Sequence, residues 1–199
     1  MTANRPPRPL MPTEVLGLLA ATGKTREPAR DLAIVAVLID AGPARGEIAC
    51  LVRRDYDPKR GLISIGAGDD VREIRLGQSS AAALDGLLTM RDLPLSPLLC
   101  SKNGTPVTDR TVQELLRRLS QAADLQVTVT CRDTRRTWMR CALGVLPGSV
   151  VARLANHHPA RMRRATSEEA LAALFDIGWV SPLDRLVAES DTLVSRRAA

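Results

Sequence analysis

The side chains best suited to chemistry on a phosphate are concentrated between residues 128 and 167. Arg132 and Arg135 stand three residues apart, His157 follows, and the basic run Arg-Met-Arg-Arg occupies positions 161–164. The guanidinium group of arginine is planar, stays charged at ordinary pH and donates paired hydrogen bonds to phosphate oxygens. We therefore interpret this stretch as a candidate phosphodiester-binding site. The alternative for the basic run is a solvated turn without a ligand.

The composition of the whole chain favours a polyanionic partner. Its 199 residues carry a formal net charge of +6, and the sequence pI is about 9.8. Nearly all of the positive charge is arginine, which a GC-rich genome could explain, but genome composition does not explain the net charge itself. Hydrophobic residues make up 45% and aromatic residues only 2%, so we expect one domain with an aliphatic core.

Metal sites, cofactors and membrane spans are not predicted. The four cysteines form no Cys-x-x-Cys pair and the two histidines are adjacent, spacings that do not suit zinc: Cys50, Cys100, Cys131, Cys141, His157 and His158. No apolar run approaches the roughly 20 residues of a membrane span, and residues 1–12 lack the apolar core of a signal peptide. We expect a cytoplasmic protein with reduced thiols and no cofactor.

Hydrophobic periodicity predicts a mainly α fold with a small antiparallel β-hairpin or sheet, an α+β class. Ile63 and Ile65 alternate in one predicted strand and Ile74 and Leu76 in the other, around a turn at residues 66–70. A short strand and an Asn-Gly turn are predicted within residues 97–108. Helices are predicted over residues 12–22 (N-cap Thr13), 28–42, 45–56, 79–92 (N-cap Ser79), 109–125 (Val112, Leu115, Leu116 and Leu119 inward), 131–144, 147–158, 167–178 and 181–196.

Three segments, taken in this order, resemble the catalytic domain of the tyrosine recombinases, the phage-integrase family. Residues 29–65 resemble that family's buried helix, its Thr-Gly-Leu-Arg-x-Ser-Glu-Leu turn and the following strand. Residues 98–125 resemble its mid-domain strand, turn and helix, and residues 131–158 its His-x-x-Arg-His-Thr helix and Leu-Gly-His motif. The resemblance implies three regions: a basic, Pro-rich tail that is extended or disordered (1–12), a DNA-binding domain (13–167) and a C-terminal helical segment (168–199).

Members of that family cut DNA by attack of a tyrosine on a phosphodiester, while arginines stabilise the developing charge and lysine and histidine move protons. When the six catalytic positions of the family are matched to this sequence, two of them keep the family residue, Arg135 and His157. The other four hold Ala44 for the first arginine, Ala67 for the hairpin lysine, Arg132 for the first histidine and Thr166 for the nucleophile. Arg45 adjoins Ala44 and could replace the missing arginine only after a local shift.

The only tyrosine of the sequence is Tyr56, between Asp55 and Asp57, where the family carries an apolar residue. We therefore predict that Tyr56 packs in the core. Thr166 is a poor substitute nucleophile, because the pKa of an aliphatic hydroxyl lies well above the ~10 of a phenol. The resemblance thus predicts a protein that is not an enzyme.

The predicted function is non-catalytic binding of double-stranded DNA, as a transcriptional regulator or repressor of a phage or mobile element. Cations on the expected DNA-facing surface are the predicted contacts: Arg45, Arg72, Arg75, Arg110, Arg117, Arg118, Arg132, Arg135, Arg136, His157, Arg161, Arg163 and Arg164.

Three alternatives stay open. One is an accessory subunit that binds itself or a recombinase paralogue through the apolar residues of its C-terminal helix, which could equally fold back on its own domain: Leu171, Leu174, Phe175, Ile177 and Trp179. Another is an active recombinase with relocated residues, and the last is a protein-interaction module. Only about a dozen residues precede the domain, so we expect DNA binding to depend on the basic tail (Arg5, Arg8), on oligomers or on a partner.

Overall fold

The computed structural model of the protein describes residues 5–89, 96–101, 103–155, 181–186 and 188. Within these ranges the chain forms helices and one three-stranded sheet, as predicted, with short 3-10 turns at Arg53–Asp55 and Gly68–Asp70 and a short helical stretch at 182–186. The bounds are α1 Pro12–Thr22, α2 Pro28–Asp40, α3 Glu47–Cys50, β1 Tyr56–Asp57, β2 Leu62–Ile65, β3 Arg72–Arg75, α4 Gln78–Leu88, α5 Asp109–Ala122, α6 Cys131–Leu143 and α7 Gly148–Leu154.

Helix α2 lies at the centre of the fold because it is apolar on nearly every side. Residues 33–39 are all buried, and α1, α4 and α6 pack against this helix. Gly42 follows α2 with φ +54°, and a Cβ atom there would lie 2.9 Å from the Cβ and Cγ atoms of Trp138 on α6. Both the backbone conformation and the lack of space require glycine at this position. The chain turns sharply here and delivers Arg45 to the surface.

The sheet confirms the predicted hairpin and its turn. Its strand order is β1-β2-β3, all antiparallel, with Tyr56 opposite Ile63 and Ile63 opposite Ile74. Side chains alternate between the two faces, so Arg72 shares the inward face of β3 with Ile74 and is buried.

Helices α5 and α6 carry most of the polar residues of the candidate site. The predicted inward face of α5 is confirmed, since all four of its predicted apolar residues are buried. Thr108 caps α5 by accepting a hydrogen bond from the backbone N–H of Thr111 at 3.2 Å. Thr130 and Asp133 form a capping box at the start of α6.

Residues 5–11, which we call the N-terminal strap, lie against α6 and form neither helix nor strand. Leu10 is buried, and its N–H donates to Oγ1 of Thr137 at 2.8 Å. The N–H of Arg8 donates to Oδ1 of Asp133 at 2.9 Å. The strap is thus joined to α6 through both apolar packing and hydrogen bonds.

Residues 181–186, which we call the C-terminal clip, fold back on the same domain. Oδ2 and Oδ1 of Asp184 accept from the N–H groups of Gln78 at 2.8 Å and Ser79 at 3.2 Å, and the N–H of Leu183 donates to Asp40 at 3.2 Å. The apolar residues for which contact with a partner and packing on the same domain were both left open, 171–179, lie outside the described residues.

Several predicted details of local structure are wrong. Thr13 is not the N-cap of α1, because Pro12 occupies the first helical position and Glu14 accepts from the N–H of Met11 at 2.8 Å. Ser79 is not the N-cap of α4, because Gly77 holds that position and the C-terminal clip supplies the capping carboxylate. The helix predicted over 45–56 is only α3 and a 3-10 turn, and the strand predicted near residue 100 is an isolated bridge, Cys100 to Pro106.

Candidate nucleic-acid interface

Arg135, at the predicted catalytic-arginine position, lies on the second turn of α6 and points inward. Its Nη1 donates to the carbonyl oxygen of Gly42 at 2.8 Å, its Nη2 donates to the carbonyl of Ala155, and Nη1 lies 3.8 Å from Oε2 of Glu47. Its side chain is only 14% exposed. Burial and the nearby charge of Arg72 lower the pKa of Arg135, yet a guanidinium keeps its proton at neutral pH. Arg135 therefore links the loop after α2 to the end of α7.

Glu47 and Arg72 form the second half of this buried cluster. Nη1 and Nη2 of Arg72 donate to the two carboxylate oxygens of Glu47 at 2.8 and 2.7 Å, and Arg72 is 5% exposed. Burial acts to raise the pKa of Glu47, but the hydrogen bonds and charge of Arg72 outweigh it and hold this pKa below its usual value. The Ala44 N–H also donates to Glu47. The positive charge of Arg72 is therefore neutralised inside the protein.

Two of the other catalytic-type positions within the described residues, those of Ala44 and Ala67, have no polar side chain to offer, whereas Arg132 is exposed on α6. Ala44 is half-buried beside Glu47, and Ala67 is exposed in the turn between β2 and β3. Neither methyl group can hold or protonate a phosphodiester.

Tyr56 lies in the core, as predicted, with 2% exposure. Its hydroxyl donates to Oδ1 of Asp85 on α4 at 3.1 Å. Burial, followed by the charge of Asp85, raises the pKa of Tyr56 above that of a free phenol. This tyrosine is neither accessible to a duplex nor activated for nucleophilic attack.

A basic cleft of about 810 Å³ opens between α5, the segment leading into α6 and the N-terminal strap. Five arginines line this cleft against only two carboxylates, those of Glu114 and Asp133. The arginines are Arg5, Arg45, Arg110, Arg117 and Arg132. Its surplus of positive charge suits a polyanionic ligand.

The five arginines are not equivalent. Arg117 pairs with Glu114 at 2.7 Å, and Arg5 pairs with Asp133 at 2.8 Å, so their charges are largely compensated. Arg45 is 66% exposed and contacts Asp109 at 3.2 Å. Arg110 and Arg132 are exposed, and in the described part of the chain no carboxylate lies within 4.0 Å of either.

Cys131 lies at the floor of the cleft and is buried. Burial raises the pKa of its thiol to about 11, so the sulfur stays neutral at physiological pH. The cleft therefore has the character of a binding surface and not that of a thiol nucleophile site.

The predicted contacts fall into groups by their position in the structure. Arg45, Arg110, Arg117 and Arg132 come together around the cleft, whereas Arg72 and Arg135 belong to the buried cluster. Arg118 and Arg136 are exposed outside the cleft lining, and Arg75 is half-buried on β3. The predictions outside the described residues are His157, Arg161, Arg163, Arg164 and Thr166.

Gln113 and Asp133 belong to the cleft but were not among the predicted contacts, and Arg5, which also lines it, was expected to contribute only as part of the basic tail. Arg5 and Asp133 are 128 positions apart, and no local pattern could pair them. The polar face of α5 did offer a signal for Gln113, because it stands one helical turn from both Arg110 and Arg117.

The described residues contain neither a membrane span nor a metal cluster. None of the helices there has the length and apolar character needed to cross a bilayer. Those residues likewise contain no group of three or more His, Cys, Asp or Glu side chains arranged to hold a metal ion.

No family model matches the sequence, and no curated protein matches it either. Solved structures do match. XerA recombinase aligns with a TM-score of 0.69 and 22% identity, over 86% of this chain and 65% of that one. The Tn1549 transposon integrase, in complex with a circular intermediate DNA, aligns with a TM-score of 0.62 and 16% identity, over 86% of this chain and 62% of that one. The integrase from mycobacterium phage Brujita aligns with a TM-score of 0.62 and 19% identity, over 94% of this chain and 64% of that one.

The chain thus spans somewhat less than two thirds of the length of each of these solved proteins. The alignments cover 86% or more of this chain. At these identities the likeness concerns the backbone and not the side chains of the site. The protein has the fold of the catalytic domain of tyrosine recombinases.

Proposed function

We propose that the protein binds double-stranded DNA without cutting it and acts as a transcriptional regulator of a phage or mobile element. The observation that carries this proposal is the basic cleft, in which five arginines face two carboxylates. Phosphate contacts of this kind supply the sequence-independent part of DNA affinity.

The shape of the surface supports a duplex as the ligand. Helix α5 presents its polar face beside the cleft, with Arg110 and Arg118 exposed. A helix of roughly 10–12 Å diameter fits the major groove, which is about 12 Å wide. Two proteins of similar fold were solved with DNA, the Tn1549 integrase with a circular intermediate and XerH recombinase with its difH substrate.

The side chains at the catalytic-type positions support the absence of cleavage. Ala44 and Ala67 can neither stabilise charge nor donate a proton, and the arginine at position 132 replaces a histidine with a group that does not serve as a general acid or base. Tyr56, the only tyrosine of this sequence, is buried and bonded to Asp85. Removing the nucleophile from a catalytic group that acts as a unit eliminates most of its rate.

Binding is tested by fluorescence anisotropy with labelled random duplexes at two salt concentrations. We expect Arg132→Ala to weaken binding about tenfold and to reduce the salt slope by about 0.9, the value for one phosphate contact. Arg140→Ala is the matched control, since Arg140 is an exposed arginine on the same helix that does not line the cleft. Equal effects of the two substitutions, or no binding by the unmodified protein, would contradict the proposal.

The absence of DNA cleavage is tested with a nicked suicide duplex that carries a candidate binding site selected from random DNA. We expect no covalent protein–DNA adduct on a denaturing gel, and an adduct would overturn the non-catalytic part of the proposal. Footprinting then tests the regulatory role. Protection of a promoter supports a regulator, and protection restricted to a recombination site contradicts one.

A further inference from the structure

We infer that the N-terminal strap is a working part of the DNA interface, in which Arg5 neutralises the buried Asp133 that would otherwise repel the bound phosphates. This inference rests on the proposed DNA-binding function and identifies a positioning residue within that same cleft. It concerns a segment that precedes the helices of the fold and one ion pair that fastens it to α6.

Asp133 is a buried carboxylate with an unusually complete set of donors. Its side chain is 0% exposed, and its Oδ1 and Oδ2 accept from Nη1 and Nη2 of Arg5 at 3.1 and 2.8 Å. Oδ1 also accepts from the N–H of Arg8 at 2.9 Å. Oδ2 accepts from the N–H and the hydroxyl of Thr130 at 2.9 and 2.7 Å. Of these donors, only the Arg5 guanidinium carries a charge.

The position of this pair makes it important for an anionic ligand. Asp133 lines the cleft and directly follows Arg132, one of the two cleft arginines with no carboxylate nearby in the described residues. Without Arg5, the remaining donors to Asp133 would be neutral groups. An uncompensated negative charge would then lie beneath the phosphate-binding surface, where the partly buried setting weakens screening by solvent and salt.

The strap has anchors that do not depend on Arg5. Leu10 is buried, its N–H bonds to Thr137, and both Nη groups of Arg8 donate to Glu14, one of them at 2.7 Å. None of the residues in these contacts lines the cleft. Arg5 can therefore be altered while the rest of the strap remains in place.

The first test compares Arg5→Ala with Arg8→Ala by anisotropy with a labelled duplex. Each substitution removes one positive charge from the strap, but only Arg5 compensates a carboxylate of the cleft. We expect Arg5→Ala to weaken binding about five- to tenfold and Arg8→Ala to change it by less than about twofold. Equal losses would show that only net charge matters and would refute the inference. Arg5→Lys, which keeps the charge, should retain most of the affinity.

The second test separates neutralisation from direct contact with phosphate. Asp133→Asn leaves a side-chain oxygen to cap α6 but removes the negative charge, so we expect this single substitution to strengthen binding about threefold or more. The double variant Arg5→Ala with Asp133→Asn should return to within about threefold of the unmodified protein. A double variant as weak as Arg5→Ala alone would show that Arg5 itself grips phosphate, against the inference.

Thermal melting of each variant checks that loss of binding is not loss of folding. Should Arg5→Ala fail to fold, the Asp133→Asn variant decides alone, since unchanged or weaker binding there refutes the inference. Failure of the unmodified protein to bind any duplex refutes the proposed function itself. Normal binding without the expected pattern among the variants refutes only the role of Arg5.

Discussion

Replacing Gly77 with alanine should release the C-terminal clip from the body of the domain. A Cβ atom at this position would lie 1.9 Å from Oγ of Ser181, 2.3 Å from Oδ2 of Asp184 and 2.5 Å from Cβ of Ser181. Gly77 has ordinary extended backbone angles, φ −74° and ψ 170°, so alanine meets no backbone strain there. The three nearest atoms all belong to the clip, which must move because a carbon atom cannot occupy that space.

The size of the effect follows from what the clip contributes when docked. Leu183 and Leu186 are buried, and exposing two such side chains costs about 3–6 kcal/mol. The hydrogen bond that Asp184 of the clip accepts from Gln78 and the one that Leu183 donates to Asp40 add about 1 kcal/mol each. The freed residues regain conformational entropy, which offsets most of this loss. We therefore expect the free energy of unfolding to fall by about 1–3 kcal/mol.

Gly86 provides a matched control on the same helix. A Cβ atom there would meet no atom within 4 Å, so Gly86→Ala is a glycine-to-alanine change without a steric conflict. Because alanine favours the helical state, this variant should be more stable by about 0.5–1 kcal/mol. The two substitutions are thus expected to have opposite signs.

Urea denaturation measures both free energies, and hydrogen exchange followed by mass spectrometry reports on residues 181–186 directly. We expect Gly77→Ala to abolish protection of this segment while leaving α2 and α6 protected. Stability equal to that of the unmodified protein, together with normal protection of the clip, would refute the reasoning.

Three further predictions concern buried polar groups. Arg135→Ala should lower the free energy of unfolding by about 2–4 kcal/mol in urea denaturation, because two carbonyls, including that of Gly42, lose a charged donor. Burial raises the pKa of Asp40 from 3.8 to about 6, so its contribution to stability falls as pH rises from about 4 to about 6. That contribution is of order 3 kcal/mol, and Asp40→Asn should remove this part of the pH dependence of urea unfolding. Tyr56→Phe should cost about 1 kcal/mol through loss of the bond to Asp85 and leave duplex affinity unchanged, and a large loss of DNA binding would contradict its assignment to the core.

Much of the fold could be predicted from local patterns. Apolar spacing predicted α1, α2, α4, α5 and α6 and the hairpin, and α5 buries its predicted inward face. These patterns succeed because burial of one face of a helix or strand imposes a period on the sequence. Helix caps were predicted less well, since the carboxylate that caps α4 comes from Asp184, more than 100 residues away.

The candidate site could be predicted only in part. Position along the chain identified the arginines around the cleft but not which arginines are available to a ligand. One signal in the sequence was not used. Arg72 and Ile74 are two residues apart on the same strand, so their side chains lie on the same, inward face of the sheet. For Arg135 no such signal exists, since its acceptors are backbone carbonyls on two distant segments.

The sequence by itself determined the aliphatic core, the surplus of arginine and the residue types at the catalytic-type positions, because these follow from composition and local spacing. Tertiary structure decided which charges act on a ligand. Arg72 and Arg135 are enclosed with Glu47, whereas Arg132 stays exposed and Arg5 reaches a buried carboxylate on α6. The physical reason is that the strength with which a charge acts on a ligand depends on its burial and on its ionic partner. Both the burying residues and the ionic partner come from segments that are far apart in the chain.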